Sequence, residues 1–181
     1  HLENILVHRS TGSIVHVDFD CLFGKGFELE IPEIVPFRLT QNFVVAMGLT
    51  GVEGSFRVTC INTMRVLRHH KDMLLSVLMS FVHDPLIEWT KGNGCLGEEK
   101  ARKSIVEISQ KLNGMVNVGA LTLPSDAPSL PAEKLRNALF IPNKEIRHIN
   151  LAIETQVDEL IRASMCPRNL SQMYVGWMPW I

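Results

Sequence analysis

The sequence lacks the features that mark secreted, zinc-binding or membrane-spanning chains. Its four cysteines lie far apart and form no Cys-x-x-Cys pair, which argues against a zinc site or a disulfide framework and favours a reduced intracellular compartment. No apolar run approaches the ~18 residues that a membrane span needs, and no signal peptide is recognisable. The formal net charge of −1 excludes a global basic field that would draw the chain to nucleic acid or membranes.

The overall composition is that of an ordinary globular domain. With 181 residues, 46% hydrophobic content and 20% charged residues, the chain can build one hydrophobic core. It begins without a methionine and inside what reads as a functional loop. We therefore expect it to be a fragment of a longer protein.

Two short apolar runs near the start predict a β-hairpin that ends in a carboxylate. Residues 5–7 and 14–17 flank a turn rich in Ser, Thr and Gly. Asn4 precedes the first run and Asp18 follows the second, so closing the hairpin brings an amide oxygen and a carboxylate to the same end. Such oxygen ligands suit Mg²⁺ that is also held by a nucleotide phosphate. On these residues alone, a solvated turn remains the commoner alternative.

The region after the hairpin predicts an irregular, acidic segment. Pro32 and Pro36 favour extended backbone over residues 27–40. Between Asp20 and Glu33, four acidic residues and one lysine give a net charge of −3. A solvated acidic loop and a substrate-facing segment are equally compatible with this charge.

Apolar residues at helical spacing predict a mainly α-helical chain. A short helix capped by Thr40 or Asn42 ends at Gly48, and a longer one follows Ser55 with its arginines on the wet side. A third helix, capped by Asp72, is apolar almost all round, so we expect it to be buried. Residues 114–131 read as a linker. Further helices are predicted over residues 98–112 and 131–139. The last unit begins at Asn143, carries an apolar stripe over residues 149–161 and ends at Cys166-Pro167.

The carboxyl-terminal end of the sequence is unusually aromatic. Tyr174, Trp177 and Trp180 all fall within the last eight residues. Leaving these rings in water would be costly, whereas chain ends are normally polar and frayed. We expect the tail to pack against a groove, either in this domain or on a partner.

Four motifs lie along the chain: His1-Leu2-Glu3-Asn4, His16-Val17-Asp18-Phe19-Asp20, the run from Pro32 to Thr40, and Met173-Tyr174-Val175-Gly176-Trp177. In this order they resemble the motifs of the phosphatidylinositol-kinase-related protein kinases. Residues 51–57 and Asp84-Pro85-Leu86 resemble the DNA-damage checkpoint members of that family. Among these members, residues 18–23 and Gln172-Met173-Tyr174 favour the ATR-type branch, and the ATM-type branch is the alternative.

The resemblance implies a fold and a division of the chain. The expected fold is mainly α with a small β-hairpin: the C-lobe of a bilobal, overall α+β kinase that ends in a helical FATC segment. Residues 1–94 would form the C-lobe, with the activation loop at about 18–40. Residues 95–145 would be a regulatory insertion, and residues 146–181 the FATC segment, which packs near the activation loop in this family.

The resemblance also implies a site that uses ATP and Mg²⁺. His1 would lie beside the γ-phosphate, and Asn4 and Asp18 would hold the metal. His16 is either close to the site or a structural histidine. The family's catalytic Asp would lie two residues before His1, outside this sequence. Asp-Phe-Asp stands where other kinases have Asp-Phe-Gly, which argues against a glycine-dependent loop flip at Asp18 but not against metal binding.

The implied activity is that of a nuclear checkpoint serine/threonine kinase. The family implies protein substrates with Ser or Thr followed by Gln, a regulatory subunit of the ATR-interacting-protein type, DNA engaged through partners, no membrane, and a large assembly such as a dimer of heterodimers. Without the nucleotide-gripping lobe, we expect the fragment alone to be inactive. The alternatives are a lipid kinase, which the acidic segment disfavours, and a non-catalytic scaffold, which the presence of Asn4 and Asp18 disfavours.

Overall fold

The computed structural model describes residues 2–19, 21, 25–82, 95–116 and 149–177. Several sequence predictions fall outside these residues: His1, the motif Asp84-Pro85-Leu86, a helix over 131–139, most of the linker, and the side chains of Trp177 and Trp180. The described elements are β1 (Ile5–Val7), β2 (Ile14–His16), α1 (Gln41–Ala46), α2 (Ser55–His69), α3 (Lys71–Phe81), α4 (Cys95–Leu112), β3 (Met115–Val116), β4 (Ile149–Asn150), α5 (Ile153–Met165) and α6 (Pro167–Leu170).

The predicted fold class, mainly α with a small β-hairpin, is confirmed. β1 and β2 form that antiparallel hairpin, and short 3₁₀ segments cover Leu2–Asn4, Lys25–Glu28, Gly48–Glu53 and Val175–Trp177. Within the ranges given above, no helix is both long and apolar enough to cross a membrane.

The main hydrophobic core joins parts of the chain that are about a hundred residues apart. Ile61 of α2 packs with Val157 and Ile161 of α5, and Leu39 closes the cluster from the preceding irregular segment. Leu39 and Val157 are each only 2% exposed. Each such side chain contributes roughly 1.5–3 kcal/mol by leaving water. Helix α5 is therefore an integral part of the domain and not an appendage.

Helices α1 and α2 follow the sequence pattern closely. Thr40 precedes α1 in the N-cap position, although its side chain makes no capping hydrogen bond, and Gly48 follows the helix end with φ of 76°. Along α2, Phe56, Cys60 and Met64 recur at helical spacing and pack against the main core. The predicted positions of both helices are confirmed.

Two predictions about α3 are wrong. The helix begins at Lys71, so Asp72 lies in its first turn, where its charge still favours the helix dipole, and is not the N-cap residue. None of its side chains is fully buried, and Met73 and Val77 are 61% and 54% exposed. Leu75 and Leu78 form the face that packs on a second, smaller core, made by Val82, Ala101 and Ile105. An all-round apolar helix is buried only if partners surround it, and the described residues supply a partner on one side.

A second strand pair, which the sequence analysis missed, links α4 to α5. Val116 pairs with Ile149 and Met115 with Asn150 in antiparallel register. Gly114 precedes the pair with φ of 81°, and a Cβ there would lie 2.5 Å from the Arg68 guanidinium and 2.6 Å from the Leu151 carbonyl oxygen. Only glycine fits this position. The pairing places Val116 and Ile149 side by side.

The chain end packs through its aliphatic residues. Leu170 and Met173 are almost fully buried, and the Asn169 side-chain amide donates to the Ala163 carbonyl oxygen at 3.0 Å. Tyr174 is 54% exposed, in contrast to the expectation that its ring would be buried. The segment folds back on the end of α5 because Pro167 starts α6 directly after the extended Cys166.

Candidate functional site

The hairpin places the predicted metal ligands at one end. Its register pairs Leu6 with Val15, and a further backbone hydrogen bond from the Val17 amide to the Asn4 carbonyl oxygen, at 3.0 Å, extends the ladder by one residue. At the other end, Gly12 adopts φ of 71° in the turn, as the glycine in the sequence predicts. Asn4 therefore lies opposite Val17, and Asp18 is the next residue along the chain.

Asn4 and Asp18 are in direct contact. The Asn4 side-chain amide donates to a carboxylate oxygen of Asp18 at 3.0 Å. Asp18 has φ of 64°, and among the described residues it is the one non-glycine residue with positive φ. Asp tolerates this region better than most residues, and such backbone conformations cluster at functional sites. The hairpin thus presents an amide and a carboxylate, held together, at a solvent-accessible position.

The chemistry of this pair fits a shared magnesium site. Mg²⁺ takes oxygen ligands and is usually bound by one or two protein groups together with waters and substrate phosphates. Across residues 2–82, 95–116 and 149–177 as described, no group of three or more His, Cys, Asp or Glu side chains is placed to hold a metal. As one amide and one carboxylate, Asn4 and Asp18 suit a metal that a nucleotide also helps to hold. Their role as ligands stays a prediction.

The two predicted histidines have different outcomes. His1 lies outside the described residues. His16 ends β2 opposite Ile5 and is exposed, with Val17 between it and Asp18. His16 lies two residues before Asp18, at the end of the hairpin that carries Asn4 and Asp18. Its catalytic role stays a prediction.

The segment after the site is anchored more firmly than its sequence suggested. The Glu33 amide donates to the Gly26 carbonyl oxygen at 2.9 Å, and the Glu33 side chain covers Gly26 so closely that a Cβ there would lie 2.6 Å from its carboxylate. Pro32 is fully buried, whereas Glu30 is exposed. The acidic segment is therefore divided: Glu33 has a structural contact, and Glu30 faces solvent.

The end of this segment is fixed to both α2 and α5. Phe37 packs edge-on against Phe56 with ring centroids 6.2 Å apart, and Leu39 belongs to the main core. Thr40, next in sequence, is fully buried. The core thus couples residues downstream of Asp18 to the carboxyl-terminal helix.

Arginines assigned to the wet side of α2 instead attach α5. Arg57 makes a two-pronged ion pair with Asp158, at 2.6 and 2.8 Å. Arg65 makes a second ion pair, with Glu154 at 3.4 Å. Glu154 lies one turn before Asp158 in α5, which runs antiparallel to α2. The hydrogen bond from Arg57 holds the pKa of the Asp158 carboxyl below its ordinary range, and the same bond raises the pKa of Arg57. Sequence analysis missed this role because 101 residues separate Arg57 from Asp158.

A polar junction fixes where α5 begins. Arg68 donates to the Leu151 carbonyl oxygen at 3.0 Å and to the Gln156 side-chain oxygen at 2.6 Å. The Gln156 amide nitrogen in turn donates to the Lys111 carbonyl oxygen at 2.8 Å. Gln156 is only 2% exposed. An unpaired polar group there would cost about 1–3 kcal/mol, and both the oxygen and the nitrogen of its side-chain amide are hydrogen-bonded. The feature of the sequence that could have indicated this junction is Gln156, a polar residue on the apolar face of α5.

We expect Arg57→Glu to loosen the attachment of α5, because it replaces an ion pair by two like charges. Hydrogen exchange of residues 153–165 in the full-length protein should quicken, more so at low salt, since the pair is partly exposed and screened. Adding Asp158→Arg should restore slower exchange. Arg102→Glu, on the exposed face of α4, is the control; equal exchange in the two single variants would contradict the attachment role.

The same pair predicts a pH dependence. Because Arg57 lowers the pKa of the Asp158 carboxyl from its ordinary value of 3.8, the pair's contribution is complete above that ordinary value. It is lost as the pH falls through the lowered pKa of the folded state. Near neutral pH, Asp158 should therefore stay ionised, and its protonation should make no contribution to the hydrogen exchange of α5.

Comparison with known proteins places these features in a family. The Phosphatidylinositol 3- and 4-kinase family matches residues 1–91, and the FATC domain matches residues 150–181. Serine/threonine-protein kinase ATR of Oryza sativa subsp. indica is 44% identical over 184 residues, covering 99% of this chain and 6% of that protein. Protein kinase rad3 of Schizosaccharomyces pombe is 42% identical over 179 residues, covering 98% and 6%. The chain therefore spans about 6% of the length of these relatives.

Solved structures agree with the fold. The structure titled "FAT and kinase domain of CtTel1" matches with a TM-score of 0.70 and 27% identity over 98% of this chain and 10% of that chain. The "Complete CtTel1 dimer with C2 symmetry" matches with the same score and identity over 98% of this chain and 6% of that one. The chain belongs to the phosphatidylinositol 3- and 4-kinase family, carries a FATC domain at residues 150–181, and is similar over almost its whole length to the ATR and rad3 kinases.

Proposed function

We propose that this chain is the carboxyl-terminal part of an ATP-dependent serine/threonine protein kinase of the DNA-damage and replication-stress checkpoint. The observation that carries the proposal is the Asn4–Asp18 hydrogen bond of 3.0 Å at the end of the hairpin. An amide and a carboxylate in contact are the two groups that such kinases use for Mg²⁺. Both are retained here, which disfavours a non-catalytic scaffold.

In the proposed division of the chain, residues 1–94 form the kinase C-lobe, with the activation loop at about 18–40. Residues 95–145 form the regulatory insertion, and residues 146–181 the FATC segment. The main core supports this scheme, because Leu39 at the end of the activation loop packs with Ile161 of α5. In this scheme the FATC helix holds the end of the activation loop in place.

The proposed reaction is an in-line transfer of the γ-phosphoryl group. The substrate hydroxyl oxygen bonds to the γ-phosphorus, the bond to the bridging oxygen of ADP breaks, and the hydroxyl proton passes to the Asp expected upstream of His1. Bound Mg²⁺ would neutralise charge on the phosphates, and Asn4 and Asp18 are the residues that would hold it. His1 would donate to the charge that develops on the transferred group, and His16 would support that end of the site.

Protein substrates with Ser or Thr followed by Gln are the proposed target. A phosphoinositide head group is polyanionic, and the exposed Glu30 in an acidic segment would repel it. The relatives that cover almost the whole chain bear the names of protein kinases. We therefore prefer a protein substrate over a lipid one.

The proposed setting is a nuclear assembly. The similarity to ATR and rad3 supports a checkpoint role, and the dimeric CtTel1 structure supports a large symmetric complex. In this proposal a regulatory subunit of the ATR-interacting-protein type accompanies the kinase, DNA is engaged through partners, and no membrane is involved.

The test is an assay of the purified full-length protein with ATP and Mg²⁺ on three substrates. We expect kcat/KM for a Ser-Gln peptide to exceed that for a matched Ser-Ala peptide by about tenfold or more, which corresponds to about 1.4 kcal/mol. Phosphatidylinositol vesicles should receive no phosphate. Transfer to the lipid alone would overturn the protein-kinase proposal, and equal use of both peptides would overturn the Gln preference.

A further inference from the structure

Each of the four glutamines in the sequence directly follows a serine or a threonine. The pairs are Thr40-Gln41, Ser109-Gln110, Thr155-Gln156 and Ser171-Gln172. The proposed substrates carry the same pair of residues, so the chain contains candidate targets of its own proposed reaction. Phosphoryl transfer needs a hydroxyl that can reach the γ-phosphorus in line with the leaving oxygen, together with a backbone that can enter the active site. The four pairs differ in how far the fold meets this need.

Three of the pairs are held inside the fold. Thr40 is fully buried directly before α1. Gln156 is buried as well, and both ends of its side-chain amide are hydrogen-bonded in the polar junction. Ser109 and Gln110 lie half-buried within α4, where the Ser109 carbonyl oxygen accepts a hydrogen bond from the Asn113 side-chain amide at 2.9 Å. Phosphorylation at any of these pairs would require a helix or a core contact to be broken first.

Ser171-Gln172 differs because it lies outside the helices, in the turn that follows α6. Ser171 is exposed, and its hydroxyl donates to the Arg168 carbonyl oxygen at 2.9 Å. The Gln172 side-chain nitrogen donates to the same oxygen at 3.0 Å. The Gln172 side-chain oxygen is buried and has no hydrogen-bond partner among the described residues. A buried amide oxygen without a donor favours release of its side chain, so this pair is the one that the fold holds least firmly.

Access to Ser171 needs a local opening and not unfolding of the domain. The backbone amide of Gln172 donates to the Asn169 carbonyl oxygen at 3.2 Å, and that of Met173 to the Leu170 carbonyl oxygen at 3.1 Å. Both bonds close a single turn, so breaking them leaves α5 and the main core intact. Leu170 and Met173 are almost fully buried and would leave their contacts with the turn. Openings of this size require less free energy than global unfolding.

We propose that Ser171 is phosphorylated by the protein's own kinase activity and that the phosphate opens the turn after α6. Modification of Ser171 in this way rests on the proposed Ser/Thr-Gln kinase function. The Ser171 hydroxyl oxygen bonds to the γ-phosphorus of ATP, the bond to the bridging oxygen of ADP breaks, and the hydroxyl proton passes to the Asp expected upstream of His1. The products are phosphoserine at position 171 and ADP.

The phosphate opens the turn because it changes a donor into an anion. Phosphorylation removes the hydrogen that Ser171 donates to the Arg168 carbonyl oxygen and adds a charge of about −1.5 to −2 at neutral pH. Phosphate oxygens beside a carbonyl oxygen repel it. Because Leu170 and Met173 lie on either side of the pair, the opened turn releases both from the end of α5. Phosphorylation of Ser171 thus loosens the FATC segment after Cys166.

Mass spectrometry of the purified full-length protein, after incubation with ATP and Mg²⁺, tests the modification. Trypsin cleaves after Arg168, and the peptide from Asn169 to Ile181 contains Ser171 as its one serine or threonine. The matched control is the peptide from His148 to Arg162, whose one such residue is that of the buried pair Thr155-Gln156. We expect at least tenfold more phosphate on Ser171 than on Thr155. Equal phosphate on the two peptides would overturn the selection of Ser171 by the fold.

Two additions to the reaction separate this site from the function on which it rests. A free Ser-Gln peptide reports the proposed kinase activity, so phosphate on that peptide and none on Ser171 would overturn the Ser171 site alone. Phosphate on neither would overturn both. Asp18→Asn should remove the phosphate from Ser171, and undiminished phosphate in that variant would mean that another kinase applies it.

Hydrogen exchange tests the effect of the phosphate on the turn. In the full-length protein, exchange of residues 166–177 should quicken at least tenfold after incubation with ATP and Mg²⁺. Ser171→Ala, treated in the same way, should show no change on incubation, because it has no hydroxyl to modify. Equal or slower exchange in the phosphorylated protein would overturn the opening of the turn.

Discussion

Asp18→Asn in the full-length protein is expected to reduce phosphoryl transfer by about a thousandfold or more. Metal-assisted charge stabilisation is worth several kcal/mol, and each 1.36 kcal/mol is tenfold in rate. The substitution removes the carboxylate charge and keeps the shape of the side chain. Steady-state turnover of a Ser-Gln peptide across a range of Mg²⁺ concentrations measures the loss.

Asn is preferable to Ala at this position for a structural reason. Asp18 has φ of 64°, which Asn tolerates and which strains Ala by roughly 1–2 kcal/mol. Asn also retains an oxygen that can accept the hydrogen bond from Asn4, now 3.0 Å long. Asp18→Asn therefore separates the loss of charge from damage to the hairpin.

The control is hydrogen exchange across residues 2–19, which should match that of the parent protein. Thr11→Ala, at the far end of the hairpin, provides a second variant that should retain turnover. If Asp18→Asn kept a tenth or more of parental activity with an unchanged Mg²⁺ requirement, the assignment of Asp18 as a metal ligand would be wrong.

The sequence predicted the candidate site better than it predicted the contacts around it. Two short apolar runs and the Ser/Thr/Gly-rich turn between them were enough to predict that Asn4 and Asp18 come together, because a two-strand hairpin is a local structure. The positive φ of Asp18 and the packing of Glu33 over Gly26 left no such signal. Both depend on neighbours that local patterns do not specify.

The limits on the fold prediction are also physical. Apolar periodicity identified α2 and α5, yet the pairing of Arg57 with Asp158 needs two helices to meet across 101 positions. The composition of α3 predicted burial, but composition does not supply the partners that exclude water from Val77. The β3–β4 pair was missed because each strand has two residues and 32 others separate them.

The FATC helix gains its importance from being part of the core. Leu39, Ile61 and Ile161 belong to one buried cluster that joins the irregular segment before α1 to helices α2 and α5. A substitution at any of the three positions should therefore alter the packing of the other two side chains. This coupling distinguishes an integral helix from one that is attached only by surface ion pairs.

Ile161→Ala is accordingly expected to destabilise the docking of α5 by about 2–5 kcal/mol, through lost burial and the cavity left behind. Hydrogen exchange of residues 153–165 in the full-length protein should quicken by about 30-fold or more, at tenfold per 1.4 kcal/mol. Turnover should fall too, since Leu39 loses a packing partner.

Leu49→Ala is the matched control, because Leu49 is fully solvent-exposed and its truncation creates no cavity. Ile61→Ala should reproduce the effect of Ile161→Ala, and the double variant should cost less than the sum of the two, because the side chains share one contact. Additive costs would mean that the two residues act independently. Unchanged exchange in α5 would mean that the ion pairs, and not the core, hold the FATC helix in place.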